Sequence, residues 1–416
     1  MAKPEIRLKG FEGEWMRASF SESFHFLKNN SLSRAELNYG NGIVKNIHYG
    51  DVLIKFGEIL NVSDSILPFI TNNDVASKQD RDTLLENGDI VFADAAEDNT
   101  VGKCTEIEGL NSSDKIVSGL HTIPSRPNYA FEKGYLGYYL NSNAFHDQLL
   151  PMIQGTKVSG ISKANLNCTY ISYPPNTFEQ TALADYFKSL DSMIQGVTKK
   201  IASLKQMKQA CLVSMFPQEG ETTPRVRFKG FKRDWERITF GSLIKECMDR
   251  STQENEDILL SSSIEGMFLN SELFSHQRGR SNIGYRKIRK NMMILSAQNL
   301  HLGNANVNLR FEHGLVSPAY KIYDIIGCSP LFMHCWIKRE ETKKFFLDAT
   351  TSGASLCRKN IVWNDLYNQF ILIPSIEEQE KIGSFFHSLD SQISLQEQRL
   401  EKLKQIKSAC LDKMFV

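Results

Sequence analysis

NTFEQTALADYFKSLDSMIQGVTKKIASLKQMKQACLVSMF, running from Asn176 to Phe216, occurs twice in this chain; the second copy runs from Ser375 to Phe415. At a gap-free offset of 199, 17 of the 38 positions from Glu179 to Phe216 are identical, which defines an internal repeat. Pro175 and Pro374 end an extended run, and Asn176 and Ser375 can cap a first turn. Glu179 and Glu378 stand three residues further on, where a capping-box carboxylate reaches back. Apolar side chains then step by four and three. They are Leu190, Ile194, Val197, Ile201 and Leu204 in the first copy, and Leu389, Ile393, Leu400 and Leu403 around Gln396 in the second. That spacing is a coiled-coil seam, so each copy is expected as one long helix of roughly 60 Å. Gly196 and Gly383 weaken it locally, and Lys205, Lys208, Lys404 and Lys407 suit its C-terminal end.

A second repeat fixes the domain frame. Pro4–Phe20 recurs as Pro224–Phe240, with 8 of 17 positions identical at an offset of 220. These arms carry Gly10/Gly230, Phe11/Phe231 and Trp15/Trp235, and the polar stretch Pro217–Thr223 reads as a linker. The chain therefore divides into an α/β domain over 1–175, a long helix over 176–216, a linker over 217–223, a second α/β domain over 224–374, and a second helix over 375–416. Because the two offsets differ, the second interior is 21 residues shorter than the first, and the interiors do not align. Strands are expected over Leu84–Phe92, Lys115–Ile123, Lys290–Leu295, Gly314–Tyr323, Thr169–Tyr173 and Gln369–Ile373. Helices are expected over Tyr135–Leu150 and Pro330–Leu347, with loops over Gln154–Gly160 and Thr351–Lys359. The fold class is α+β: two mixed α/β domains separated by two long helices that pair as an antiparallel coiled coil about a pseudo-twofold axis.

Composition narrows the function. With 41% hydrophobic and 23% charged residues, no long apolar run and no leader pattern, the chain reads as a cytoplasmic protein with no membrane association. The formal net charge is +1, yet residues 1–216 hold 21 Lys+Arg against 24 Asp+Glu, and residues 217–416 hold 28 against 24. Nucleic-acid binding thus needs local basic surfaces and partners that add charge. Eight cysteines include no C-x-x-C pair, so they read as reduced structural thiols; Cys328, His334 and Cys335 lack the spacing of a zinc site.

Catalytic signatures are lacking. Val101-Gly102-Lys103-Cys104 has no Ser/Thr for magnesium, and Tyr173-Pro174-Pro175-Asn176 reverses the order of an amino-methyltransferase motif. Glu377, Glu378, Glu380 and Lys381 sit in a helix start, where carboxylates favour the dipole. No residue is assigned to catalysis, cofactor or metal, and the chain is expected to bind rather than react. The basic run 277–290 is the sharpest candidate for DNA contact, through Arg278, Arg280, Asn282, Tyr285, Arg286, Lys287, Arg289 and Lys290. Two loops add Thr156, Lys157, Ser159 and Lys163, and Ser355, Arg358 and Lys359. Lys45, His48, Tyr49 and Lys55 complete the set in the first domain.

Variable domain, repeated helix, variable domain, repeated helix: in this order the chain resembles the specificity subunits of type I restriction-modification systems over nearly its whole length. The matching signatures are the E-Q…F…S-L-D-x-x-I helix openings at Glu179 and Glu378 and the L-K-Q-x-K stretches with Lys208 and Lys407. Asn87-Gly-Asp-Ile-Val91, Gly119-Leu-His121 and Val316-Ser-Pro-Ala-Tyr320 join them, whereas Asn291-Met292 departs from the family's Gly-Asp. The resemblance implies a non-catalytic subunit whose two target recognition domains read the halves of a split, asymmetric double-stranded DNA sequence. It further implies two methyltransferase subunits that use S-adenosylmethionine, and restriction/translocase subunits that use ATP and magnesium, with no cofactor on this chain. A DNA-modifying enzyme in its own right and a protein-interaction adaptor built on the coiled coil are the alternative readings.

Overall fold

The computed structural model describes residues 3–63, 66–155, 157–274, 281–355 and 358–416, with only the backbone given at 352–355 and 358. It divides into two compact units, Met1–Thr198 with Arg399–Val416, and Lys199–Gln398. The division cuts both long helices, Thr177–Ser214 and Ile376–Lys413, each 38 residues. Each unit thus holds the start of one helix and the end of the other.

In the first unit a five-stranded sheet runs in the order Phe24–Phe26, Thr122–Pro127, Ile90–Ala93, Cys104–Glu108, Ile59–Asn61. Its neighbours are antiparallel apart from the last pair. Ile90–Ala93 is apolar throughout and wholly buried, as a central strand covered on both faces must be. A four-stranded sheet, Ile116–Ser118, Lys45–Ile47, Phe69–Ile70, Leu37–Asn38, lies in the same unit. The expected single strand over 115–123 is broken at Gly119, where a Cβ would meet the Ile47 carbonyl oxygen at 2.7 Å, and His121 has φ 55°. Leu84 makes only an isolated bridge to Val117 and Asn87-Gly88 form a turn, so the expected strand over 84–92 begins only at Ile90. The helix expected over 135–150 is two short ones, Tyr135–Leu140 and Asn143–His146. Asn141 breaks it, exchanging bonds of 3.0 and 2.9 Å with the Cys104 backbone.

The second unit has a four-stranded antiparallel sheet, Ile244–Cys247, Tyr320–Ile325, Met293–Ser296, Ala305–Val307. Ribbons Leu260–Ser262/Met267–Leu269 and Arg286–Arg289/His313–Val316 accompany it. Ser317-Pro318 splits the strand expected over 314–323, and Pro330–Ile337 and Glu340–Asp348 replace the single helix expected there. Residues 351–359 were expected as a loop, but the backbone pairs Thr350–Ser355 with Arg358–Ile361.

The repeated arms close each unit in the same way. Met16–Ser19 pairs with Tyr170–Tyr173, and Glu236–Thr239 with Phe370–Ile373, in equivalent registers. In the first unit the Ile6 N–H donates to Lys413 O at 2.9 Å and Trp15 packs edge-on to Phe415. In the second the Val226 N–H donates to Ser214 O at 2.9 Å and Trp235 packs edge-on to Phe216. Asn176 caps its helix, accepting from the Phe178 N–H at 2.9 Å. The expected capping-box carboxylates serve otherwise: Glu179 holds Arg7 at 2.7 and 2.8 Å, and Glu378 holds Arg227 at 2.6 and 2.7 Å.

Helix contacts inside each unit join an early residue to a late one. Lys407 bonds Asp191 at 2.6 Å, and Lys208 bonds Asp390 at 2.5 Å, the same repeat positions with the helices exchanged. Leu204, Leu389 and Ile393 form one apolar cluster, and Leu190 joins the core against which Leu403 packs. Val197 and Ile201 are also buried, whereas Ile194, Gln396 and Leu400 are half-buried.

Candidate nucleic-acid interface

In the first unit the segment after strand Lys45–Ile47 turns into a short helix, Tyr49–Ile54. His48 caps it: the Gly50 N–H donates to His48 Nδ1 at 3.2 Å. Burial, with Arg34 nearby, holds this imidazole below its ordinary pKa, so it is neutral and a buried cap rather than an open contact. Buried Asp51 takes Arg34 at 2.6 Å and Lys55 at 2.9 Å; burial alone raises its carboxyl, but the two cations bring it below the usual range. Lys55 also donates to the Tyr39 hydroxyl at 3.2 Å. Tyr49 meets His121 edge to face at 5.3 Å. One acidic anchor thereby presents two half-exposed cations beside Tyr39, Tyr49 and His121, an arrangement of forks and rings suited to phosphates and base edges.

Of the other candidates in this unit, Lys45 stands 5.9 Å from the Phe69 ring and has no ion pair among the described residues. Ser159 lies in a two-residue strand paired with Ala95–Ala96, and Lys157 is exposed beside it. Lys163 begins the helix Lys163–Asn167, with its ammonium 5.3 Å from the Phe26 ring. Thr156 falls outside the described residues.

In the second unit Arg278 and Arg280 also fall outside the described residues. Asn282 is buried, exchanging bonds of 2.8 Å with Asn255, and so fixes the loop instead of offering its amide outward. Arg286 is buried too, with its guanidinium 3.9 Å from Glu246. The exposed cations are each balanced: Lys287 pairs with Glu256, Lys290 with Glu312 at 2.5 Å, and Arg289 with Asp324 at 3.8 Å. Ser355 and Arg358 belong to the hairpin over 350–361; Lys359, half-buried, has no ion pair among the described residues. Tyr285 lines a cavity of about 360 Å³ with Ser262, Asn270, Gln298, Asn304 and Tyr320.

Arg34, Tyr39 and His121 were missed by sequence reasoning, because the fold brings them to the Tyr49 helix from two separate segments, 34–39 and the turn at 121. The cavity was missed as well; its one local signal is the run Ser261-Ser-Ser263. Among the described residues no group of three or more His, Cys, Asp or Glu is placed to hold a metal, and no helix is long and apolar enough to cross a membrane.

The chain is thus built of two α/β units of unlike interior, each framed by the same kind of arm and by helix segments of the same repeat. Residues 337–405 match the family model described as type I restriction modification DNA specificity domain. The chain is 29% identical over 107 residues to the type I restriction enzyme EcoBI specificity subunit of Escherichia coli; the match spans 24% of this chain and about a fifth (21%) of that relative. In fold it is similar to the type I restriction-modification S subunit from M. genitalium, at a TM-score of 0.60 and 14% identity, over 100% of this chain and 99% of that one. A chain solved for the structural basis of complex assembly and conformational transition of the type I R-M system aligns with a TM-score of 0.54 and 15% identity, covering 97% and 98%. The resemblance to type I specificity subunits thus holds in sequence over part of the chain and in fold over its whole length.

Proposed function

We propose that this chain is the non-catalytic DNA-specificity subunit of a type I restriction-modification enzyme of the cytoplasm, each unit reading one half of a bipartite, asymmetric duplex target. In this reading the domains over 1–175 and 224–374 are the target recognition domains. The long helices pair as an antiparallel, pseudo-twofold coiled coil, set the unread gap and dock two methyltransferase subunits. Those subunits bring S-adenosylmethionine, and restriction subunits bring ATP and magnesium. The observation that carries the reading is the contrast between repeated frames and unrelated interiors: one spacing is kept while two different sequences are read.

Contacts to the first half-site come from Arg34, Tyr39, Lys45, Tyr49, Lys55 and His121, with Thr156, Lys157, Ser159 and Lys163 on the following loop. Contacts to the second come from Arg278, Arg280, Tyr285, Lys287, Arg289 and Lys290, with Ser355, Arg358 and Lys359. His48, Asn282 and Arg286 hold these segments in place. Opening the pairs to Glu256 and Glu312 frees lysines for phosphates, which dominate affinity.

Long-read mapping of methylated adenines in cells expressing this chain with its methyltransferase, against cells lacking the chain, tests the reading. A split asymmetric motif that depends on the chain is expected. Methylation unchanged without the chain would point to the adaptor reading instead.

A further inference from the structure

Several residues repeated between the two arms recur for reasons internal to the fold. Arg7 and Arg227 hold buried glutamates, Trp15 and Trp235 are core, and Gly10 and Gly230 sit at φ 97° and 103°. Arg17 and Arg237 have no such reason, since both are exposed and neither side chain has an ion pair or hydrogen bond among the described residues. Yet each is stacked in the same way. The Arg17 guanidinium lies 4.2 Å above Tyr170, and that of Arg237 lies 4.3 Å above Phe370, on ribbons whose registers match (Ser19↔Tyr170, Thr239↔Phe370). The two rings are 46% and 50% exposed.

An exposed guanidinium held over a ring keeps N–H groups free and loses little freedom when it docks. We propose that Arg17–Tyr170 and Arg237–Phe370 are two equivalent docking points, one in each unit, that each grip a carboxylate-bearing surface on one of two identical protein copies. Resting on the reading above, the partner is the methyltransferase subunit. Since the unit interiors differ, a surface with the same chemistry in both serves a partner bound twice. A DNA backbone fits less well. Phosphate binding depends chiefly on local positive charge, and neither arm supplies it just before its arginine: Glu12 and Glu14 precede Arg17, and Lys232 and Arg233 are offset by Asp234 and Glu236 before Arg237. What recurs is the Arg–aromatic stack, the composition of a protein hot spot.

The test is native mass spectrometry of the full chain with its methyltransferase subunit, using Arg17→Glu, Arg237→Glu and the double variant. Each single reversal is expected to leave one methyltransferase bound and to weaken the other about 30-fold or more, and the double variant to lose both. Arg17→Gln, which removes charge without reversing it, is expected to weaken the same single copy and serves if the reversal disturbs folding by circular dichroism. DNA binding by the assembled complex is measured alongside, over a range of salt. Two copies retained with a weaker, less salt-dependent DNA affinity would assign the stacks to phosphates and overturn the proposal. Two copies and DNA binding both unaltered would overturn it as well. Failure of the unmodified chain to take up two copies would instead sink the reading on which the proposal rests.

Discussion

At the scale of single residues, buried charge is what ties the repeat together. Glu179 and Glu378 are each 1% exposed and held by both ends of an arginine fork. Removing only the cation leaves a buried carboxylate unpaired, so Arg7→Ala should cost about 3–5 kcal/mol of stability in urea unfolding. Arg7→Ala with Glu179→Gln should cost less, because no charge is then stranded. The sequence places Glu179 in the right position for a cap, and only the fold brings Arg7 to it from 172 residues away. His334 offers a second test. Burial, reinforced by Lys338, Lys208 and His387, pushes its imidazole down to about 3. In the unfolded chain it takes a proton near 6.5, so below that pH the unfolded state binds more protons. The stability this neutral histidine sustains is therefore complete above pH 6.5 and is lost as pH falls toward 3. His334→Phe should show a smaller fall in urea midpoint between pH 7 and pH 4.5 than the unmodified chain.

At the scale of elements, two helix glycines that look alike in sequence separate once packing is seen. A Cβ on Gly196 would meet nothing within 4 Å, whereas on Gly383 it would lie 2.5 Å from the Leu331 Cβ and 2.8 Å from the Phe332 nitrogen. Gly196→Ala should then raise stability by up to about 1 kcal/mol, through helix propensity alone. Gly383→Ala should lower it by about 1–3 kcal/mol despite the same propensity gain, as overpacking against backbone does. Thermal unfolding of the two variants side by side checks both signs. The long helices and the strand before each were legible because periodicity and repetition are local and redundant. The Asn141 break and the hairpin over 350–361 were not, since an amide that imitates a strand partner and a Gly- and Ser-bearing hairpin leave no distinctive periodicity. Contact residues were legible in type but not in availability: the basic run at 286–290 reads as open charge, and the fold pairs it with Glu246, Glu256, Asp324 and Glu312.

At the scale of the whole molecule, the two units are assembled from the same parts: an arm, an interior, the start of one helix and the end of the other. The pairs Asp191–Lys407 and Lys208–Asp390, one inside each unit, use identical residues of the repeat with the helices exchanged. Such a frame admits a change of length that keeps its register. Seven residues advance a helix by nearly two turns and return the seam to almost the same face. Inserting a heptad after Ile201 in the first helix and after Leu400 in the second therefore preserves the pairing while lengthening each helix by about 10 Å, roughly three base pairs of B-DNA. If the helices are the ruler of the proposed bipartite target, adenine mapping should return both half-sites unaltered, separated by a gap about three base pairs longer. A heptad in one helix alone breaks the reciprocal pairs and should abolish methylation at both spacings. An unaltered gap in the doubly extended chain, with methylation intact, would show that spacing is set by the recognition domains and not by the helices.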